Sequence, residues 1–447
     1  MTAPSSPARV FGFWTATSLV LGNMIGSGIF YLPASLAHVG PISILGWAIT
    51  AVGAVSLAYV FSNLSLHNPQ AGGPFSHTRQ AFGDQMGFFM AWGYWIMAWS
   101  SNAAVSLAFV SYLSHFVPIL AESKIASFGM ATCLIWFTTL LNCRNLKYGG
   151  FVQVLTVIIK ISPLIAVALV GWYFIEPQNY VPFNPNFETP LSAISAAATI
   201  TMWAFIGLES ATVPAENVEN PGKTISRATL FGTLLGALIY ITITAVVFGL
   251  VPTNELANSN APFVDAASKI FGSWVGPIIG FCVLTSIFGG LNGWILLQGQ
   301  IPYALAKEGL FPKVFSKLSA NGTPVFGLVF TSILMTVLMS MNYSKSLVSQ
   351  FNNMILIGTI MTLGTYLSST IASVKLLKHS YIVKLKPPIL IAIFLGSTYC
   401  VWAILGSGLE NLAICFIAYV CGIPVYIYSR WEHRRINRRG YTVTSPR

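Results

Sequence analysis

Long apolar segments recur along the chain, and they limit its possible folds more than any other feature. A helix of about 20 apolar residues crosses the hydrocarbon core of a bilayer, and within one segment only a helix satisfies every backbone group there. The pattern predicts an all-α integral membrane protein with 12 transmembrane helices. These lie near residues 11–37, 41–64, 84–115, 124–142, 148–175, 190–214, 225–250, 273–305, 323–341, 347–375, 387–407 and 410–430.

The charge distribution supports this count and orients the chain. Only 8% of the 447 residues are charged, whereas soluble domains carry about 25%. With 12 crossings, 19 of the 23 Lys and Arg residues fall on the side of the two termini and three on the other. Basic residues favour the cytoplasmic side, so we expect both termini in the cytoplasm and the protein in the inner membrane. The net charge of +11 is dispersed between spans, so no nucleic acid partner is expected.

The first apolar span contains a polar break. Its centre reads Gly22-Asn23-Met24-Ile25-Gly26-Ser27-Gly28, which is poor helix-forming sequence. Unwound backbone at membrane depth is tolerated only where protein or a water-filled cavity satisfies it. The break therefore predicts a binding site for a polar solute, although close packing of a Gly/Ser helix face is an alternative interpretation.

A second break lies five spans later. The sixth span is interrupted at Phe205-Ile206-Gly207-Leu208-Glu209-Ser210. Broken spans in corresponding positions indicate an inverted repeat with a binding site near the midplane. The predicted organisation is a cytoplasmic N-terminus, two inverted five-helix repeats, two additional helices and a basic cytoplasmic tail, at residues 1–10, 11–175, 190–375, 387–430 and 431–447.

Two charged residues lie deep inside spans. Glu209 is near the centre of the sixth span, and Lys160 is at comparable depth in the fifth. A charge at the centre of a helix costs about 2.5–3.5 kcal/mol on insertion scales, so such residues usually face a cavity. We expect Glu209 to act in gating or coupling, and Lys160 to act as a proton carrier. The alternatives are a neutral carboxyl that ties helices together and an ammonium bonded to helix carbonyls.

Aromatic residues accompany the breaks. Trp203 precedes the second break and Trp294 follows Gly293 in the eighth span, while Tyr94 lies in the third span. Tryptophan is normally enriched at the membrane interfaces rather than at mid-span. An indole face that borders a cavity attracts cations by about 2 kcal/mol when desolvated. Ordinary aromatic packing remains the alternative for each of these side chains.

Enzyme and metal motifs are missing. The sequence contains neither a G-x-x-x-x-G-K-[ST] P-loop nor an H-E-x-x-H motif, and its six histidines lie at span ends or in loops. Its six cysteines lie within or beside apolar segments without a C-x-x-C pair, so no disulfide framework is expected. We therefore expect no enzymatic activity, no catalytic residues, no bound metal and no cofactor.

The chain resembles the amino acid–polyamine–organocation superfamily along nearly its whole length, and within it the bacterial basic amino acid/polyamine antiporters. These exchange arginine for agmatine, lysine for cadaverine or ornithine for putrescine. The matching motifs are Gly22 to Ile29, Gly72-Gly73-Pro74, Trp203 to Ala211, Glu219-Asn220-Pro221, Gly293-Trp294 with Gly299-Gln300, and Glu308-Gly309-Leu310-Phe311-Pro312.

The resemblance implies the five-plus-five inverted-repeat fold, with broken helices 1 and 6 and a site between spans 1, 3, 6, 8 and 10. The substrate carboxylate would meet the N–H groups of Ser27 and Gly28, as expected of a helix N-terminus. Trp203 would close over the substrate, Tyr94 would support closure, and Glu209 would act in gating. The remaining implied substrate contacts are Asn23, Met24, Met97, Ala98, Asn102, Ile206 and Trp294.

Two residues depart from the resemblance. Gly358 occupies the position where the arginine/agmatine exchanger has a substrate-contacting serine, so a polar contact is lost. Lys160 is similar instead to the fifth-span lysine of proton-coupled and heteromeric-type amino acid transporters, which argues against sodium coupling.

These observations predict a secondary transporter that exchanges a cationic amino acid or its decarboxylated amine by alternating access. The alternative within the class is a proton-coupled importer of neutral amino acids that uses Lys160. A channel or membrane receptor with the same fold is the rival from another class. Expected partners are a small-molecule substrate and membrane lipids, and homodimerisation is left open.

Overall fold

The computed structural model describes residues 12–67, 74–144, 150–185, 189–210, 218–379 and 386–438. Secondary structure in these residues is helical except for short connections. The predicted N-terminal segment 1–10, the Gly72-Gly73 connector, the last residues of the sixth span at 211–214 and the end of the basic tail lie outside the described residues. The α-helices are α1 Phe13–Met24, α2 Gly28–Ala37, α3 Ser43–His67, α4 Pro74–Phe82, α5 Asp84–Leu113, α6 Ile119–Glu122, α7 Lys124–Cys143, α8 Gly150–Val170, α9 Pro190–Met202, α10 Pro221–Leu250, α11 Thr253–Asn258, α12 Pro262–Phe271, α13 Gly276–Lys307, α14 Val325–Asn342, α15 Leu347–His379, α16 Pro387–Gly406 and α17 Leu409–Arg438.

Ten helical segments of the described chain are long and apolar enough to cross a membrane, with α1 and α2 counted together. The other two predicted spans correspond to α8 and α9. Their described apolar parts are shorter, at Lys160–Phe174 and Pro190–Phe205. The all-helical membrane architecture is therefore confirmed.

The first span is broken inside the stretch that the sequence indicates. Helix α1 ends at Met24 and α2 begins at Gly28, so Ile25, Gly26 and Ser27 form the break. The Gly26 N–H donates to the Met24 carbonyl at 2.9 Å, which closes a tight three-residue turn after the end of α1. Ser27 precedes α2 without a side-chain capping bond. The first N–H groups of α2 are thus left for another acceptor.

The sixth span loses its regular helix at a similar depth. Helix α9 ends at Met202, and a single 3-10 turn continues over Trp203–Phe205. Gly207 then adopts φ of +106°, which L side chains rarely reach. A Cβ at Gly207 would lie 3.1 Å from the Asn23 Cβ, so the two breaks are in close contact.

Packing places α5 at the centre of the bundle. This helix is buried along most of its length and contacts α13 and α15 extensively, whereas α17 is largely exposed. Helix α10 packs on α3 and α1, and α16 packs on α3. The two breaks and α5 therefore lie inside the protein, shielded from lipid by the outer helices.

Replacement of Gly207 by alanine tests the contact between the breaks. We expect Gly207→Ala to destabilise the protein by roughly 1–3 kcal/mol through backbone strain, with a further loss from the contact with Asn23. Gly408→Ala is the matched control, because Gly408 has φ of +86° and open space where a Cβ would be added. Thermal unfolding of the detergent-solubilised protein should show the larger loss for Gly207→Ala. Equal losses would argue against close contact of the breaks.

Candidate substrate site

A cavity lies where the two breaks meet α5 and α13. It leaves a volume of about 50 Å³ that the centre of a water-sized sphere can reach, so the cavity is narrow in this conformation. None of the described residues that line it is charged. The lining residues are Gly22, Asn23, Met24, Gly26, Ser27, Gly28, Met97, Ser101, Asn102, Val105, Trp203, Ala204, Ile206, Ile287, Gly290 and Trp294.

Most sequence-predicted contacts come together in this cavity. Nine of the eleven proposed substrate-contacting residues line it, from the first break to Trp294 on α13. Ala98 is buried in α5 but is not a lining residue. Gly358 lies on α15 behind the wall, where an added Cβ would approach the Ser101 Oγ to 2.5 Å. The cavity wall is therefore built from spans 1, 3, 6 and 8, and α15 supports it from behind.

One end of the cavity offers hydrogen-bond donors. The N–H groups of Ser27 and Gly28 have no backbone acceptor among the described residues, and the buried Ser27 hydroxyl has no partner there either. They lie at the N-terminus of α2, where the helix dipole favours an anion. This end can hold a carboxylate.

The indole of Trp203 covers that end. A Cβ on Gly28 would lie 3.0 Å from Cζ3 of the Trp203 ring, so a larger residue at this position would require the ring to shift. The ring also packs edge-to-face on Phe351, with 5.2 Å between centroids. Its Nε1–H donates to the Ser101 Oγ at 3.1 Å. Trp203 is thus held by α2, α5 and α15 together.

Asn102 belongs to a buried amide network that the sequence does not reveal. Its Nδ2 donates to the Gln298 Oε1 at 2.8 Å, and the Gln298 Nε2 lies 3.5 Å from the Ser332 Oγ. Ser332 in turn bonds Thr139 at 2.7 Å. The bond to Gln298 uses one of the two N–H groups of Nδ2, so the amide oxygen of Asn102 remains available to accept a hydrogen bond from a ligand. Gln298 was not predicted from the sequence, because an isolated glutamine within a span belongs to no recognisable motif.

Glu209 lies beside the cavity and not in its wall. Tyr94 donates to its Oε1 at 2.7 Å, and Gly207 donates through its N–H to Oε2 at 3.2 Å. Tyr366 also donates to Oε2. This carboxyl joins the second break to α5 and α15, and the role of Tyr366 was missed because nothing in its local sequence distinguishes it.

Lys160 contacts the end of α1, next to the first break. It is buried on α8, and its Nζ lies 3.5 Å from the Gly22 carbonyl oxygen at the end of α1. An ammonium near the C-terminal end of a helix is favoured by the helix dipole. Lys160 therefore ties α8 to the break and does not line the cavity.

An uncharged cavity between two broken membrane helices is the arrangement found in a class of helical membrane proteins that bind a small solute near mid-depth. Comparison with known sequences gives the family. A profile of the amino acid permease family matches residues 11–429, and the chain belongs to that family.

Named relatives match over most of their length. The chain is 35% identical over 426 residues to the putrescine transporter PotE of Haemophilus influenzae, covering 94% of this chain and 97% of the relative. It is 34% identical over 439 residues to the cadaverine/lysine antiporter of Escherichia coli K12, covering 96% and 97%. The PotE protein of the same strain is 34% identical over 413 residues, covering 92% and 94%.

Replacement of Glu209 by glutamine tests the hydrogen bonds by which Glu209 joins the second break to α5 and α15. A glutamine would present an amide N–H₂ to one of the three donors, so we expect Glu209→Gln to destabilise the protein by about 1–3 kcal/mol. Glu410→Gln, at the exposed start of α17, is the control and should stay within about 0.5 kcal/mol of the unaltered protein. Thermal unfolding in detergent measures both changes, and an unchanged Glu209→Gln protein would contradict the assigned bonding.

Proposed function

We propose that this protein is a secondary transporter of the cytoplasmic membrane that exchanges a cationic amino acid for its decarboxylated diamine. The observation that carries the proposal is the cavity with N–H donors at one end and Trp294 with the Asn102 amide oxygen as a candidate cation site. The relatives named as a putrescine transporter and a cadaverine/lysine antiporter support the same chemistry. These names favour exchange over proton-coupled import of a neutral amino acid.

Each part of a lysine-like substrate has a proposed partner. The carboxylate would bind the N–H groups of Ser27 and Gly28, while the α-amine would meet carbonyl groups near Met24, Trp203 and Ile206. The side-chain ammonium would lie between Trp294 and Asn102, with carbonyls near Met97 and Ala98 in reach. A diamine would keep the cation contacts and leave the α2 N-terminus unoccupied. Because the wall is uncharged, dipoles and indole faces would stabilise these ammonium groups.

Alternating access would follow from the breaks. We propose 12 crossings in two inverted five-helix repeats, at residues 11–175 and 190–375, with both termini in the cytoplasm. Trp203 would act as the gate over the substrate, and Glu209 with Tyr94 would couple gate closure to the second break. The contact between Asn23 and Gly207 supports the motion, since each break would respond to a shift in the other. Lys160 would hold the first break through the Gly22 carbonyl.

Exchange in proteoliposomes tests the proposed function. Vesicles loaded with lysine or ornithine should take up radiolabelled cadaverine or putrescine, and uptake should depend on the internal cationic amino acid. Empty vesicles and vesicles loaded with leucine are the controls. Equal uptake into leucine-loaded vesicles, or uptake independent of internal substrate, would count against the exchange of cations.

A proline at position 27 tests the carboxylate end. Ser27 has φ of −65°, which proline also adopts, so Ser27→Pro removes one N–H donor with little backbone change. A hydrogen bond to a charged group contributes about 1.5–3 kcal/mol, so the KM for lysine should rise about tenfold or more. The KM for cadaverine, which has no carboxylate, should change much less.

Ser27→Ala is the matched control for this variant. It removes the same hydroxyl but keeps the N–H group, so it separates the side chain from the backbone donor. Equal increases in the KM of lysine and cadaverine for Ser27→Pro would refute a carboxylate site at the N-terminus of α2.

A further inference from the structure

Ser101, Gly358 and Trp203 lie in contact beside the cavity. The fit between these three residues is closer than is needed merely to form the cavity wall. Ser101 on α5 lines the cavity and is 9% exposed. Its Oγ accepts the indole N–H of Trp203 at 3.1 Å. Gly358 on α15 faces this hydroxyl, and a Cβ there would stand 2.5 Å from the Ser101 Oγ. Because Gly358 has no side chain, α15 leaves room at this point for the Ser101 hydroxyl.

The Ser101 hydroxyl is the only hydrogen-bond partner of the Trp203 indole among the described residues. The other contacts of the ring, with Gly28 and Phe351, are packing contacts that also suit a phenyl ring. A hydrogen bond is directional, since it weakens steeply as the donor angle bends. The bond to Ser101 thus fixes the rotation of the indole over the N-terminus of α2.

We propose that Ser101 is a positioning residue that holds Trp203 closed over the substrate, and that Gly358 is the seat for its hydroxyl. The inference rests on the proposed role of Trp203 as a gate. Gly358 thereby has a role of its own. Where α5 meets α15, the polar group is the hydroxyl of Ser101 on α5, and the space beside Gly358 admits only one such group. Ser101 and Gly358 act as a unit, so a change at either position alters the other.

A double-mutant cycle with Trp203 tests the positioning role. Ser101→Ala removes the acceptor, and we expect the KM for cadaverine to rise about two- to tenfold, the range of one net hydrogen bond. The maximal rate should stay the same or rise, because the gate opens more readily. In a Trp203→Phe background, which has no indole N–H, Ser101→Ala should have no further effect on KM. Independent, additive effects of the two substitutions would overturn the proposal.

Variants at Gly358 test whether this residue provides the space for the Ser101 hydroxyl, and they require no transport measurement. Gly358→Ser places a second side chain against the Ser101 hydroxyl and should lower the thermal unfolding midpoint in detergent. Ser101→Gly with Gly358→Ser, which moves the hydroxyl from α5 to α15, should recover most of that loss. Gly364→Ser is a control on the same helix, because a Cβ there would meet only the Tyr419 hydroxyl, at 3.2 Å. Additive losses at positions 101 and 358 would refute the shared space.

The two experiments separate this proposal from the proposed function. If the exchange of cations fails, the unfolding midpoints still show whether Ser101 and Gly358 share one space. If exchange occurs but Ser101→Ala leaves KM unchanged, the transport assignment stands and the positioning role of Ser101 is wrong. A Ser101→Ala protein that does not fold is replaced by Gly358→Ala, which displaces the hydroxyl from the other side and should raise KM in the same way.

Discussion

The need to satisfy backbone N–H and C=O groups within the membrane determines how the helices around the two breaks are arranged. Where α1 and α9 end at mid-depth, N–H and C=O groups lose their helical partners, and hydrocarbon offers no replacements. The two breaks lie together, with Gly207 against Asn23. Side chains from other helices supply further partners: the Lys160 ammonium lies near the Gly22 carbonyl. The Tyr240 hydroxyl donates to the Ala204 carbonyl at 3.0 Å. The donors that remain open, at the start of α2, face the cavity.

Burial of Glu209 follows from the same constraint. A carboxylate is costly in the interior unless hydrogen bonds satisfy it, and two tyrosine hydroxyls with a backbone N–H do so here. These donors come from α5, α15 and the second break. The residue therefore joins three elements of the structure. By contrast, none of the described residues that line the cavity is charged.

Sequence patterns predicted the all-helical membrane architecture and the two breaks because these depend on local features, whereas most of the proposed substrate contacts came from the family resemblance. Glycines at mid-span mark the breaks, and nine of the eleven proposed substrate contacts line one cavity. Contacts made across helices were not predictable in this way. Gln298, Tyr366 and Ser101 act through partners far away in the chain, and neither spacing nor residue type signals such pairs. Gly358 shows the same limit, since its position behind Ser101 depends on how closely α5 and α15 pack.

A structure of the protein with lysine bound would decide whether the N-terminus of α2 and the α5–α13 wall hold the two ends of one substrate. We predict the carboxylate oxygens within hydrogen-bonding distance of the Ser27 and Gly28 N–H groups, with the side-chain ammonium between Trp294 and the Asn102 amide oxygen. Lysine bound outside this cavity, or bound with its carboxylate beside Trp294, would show that the proposed site is wrong.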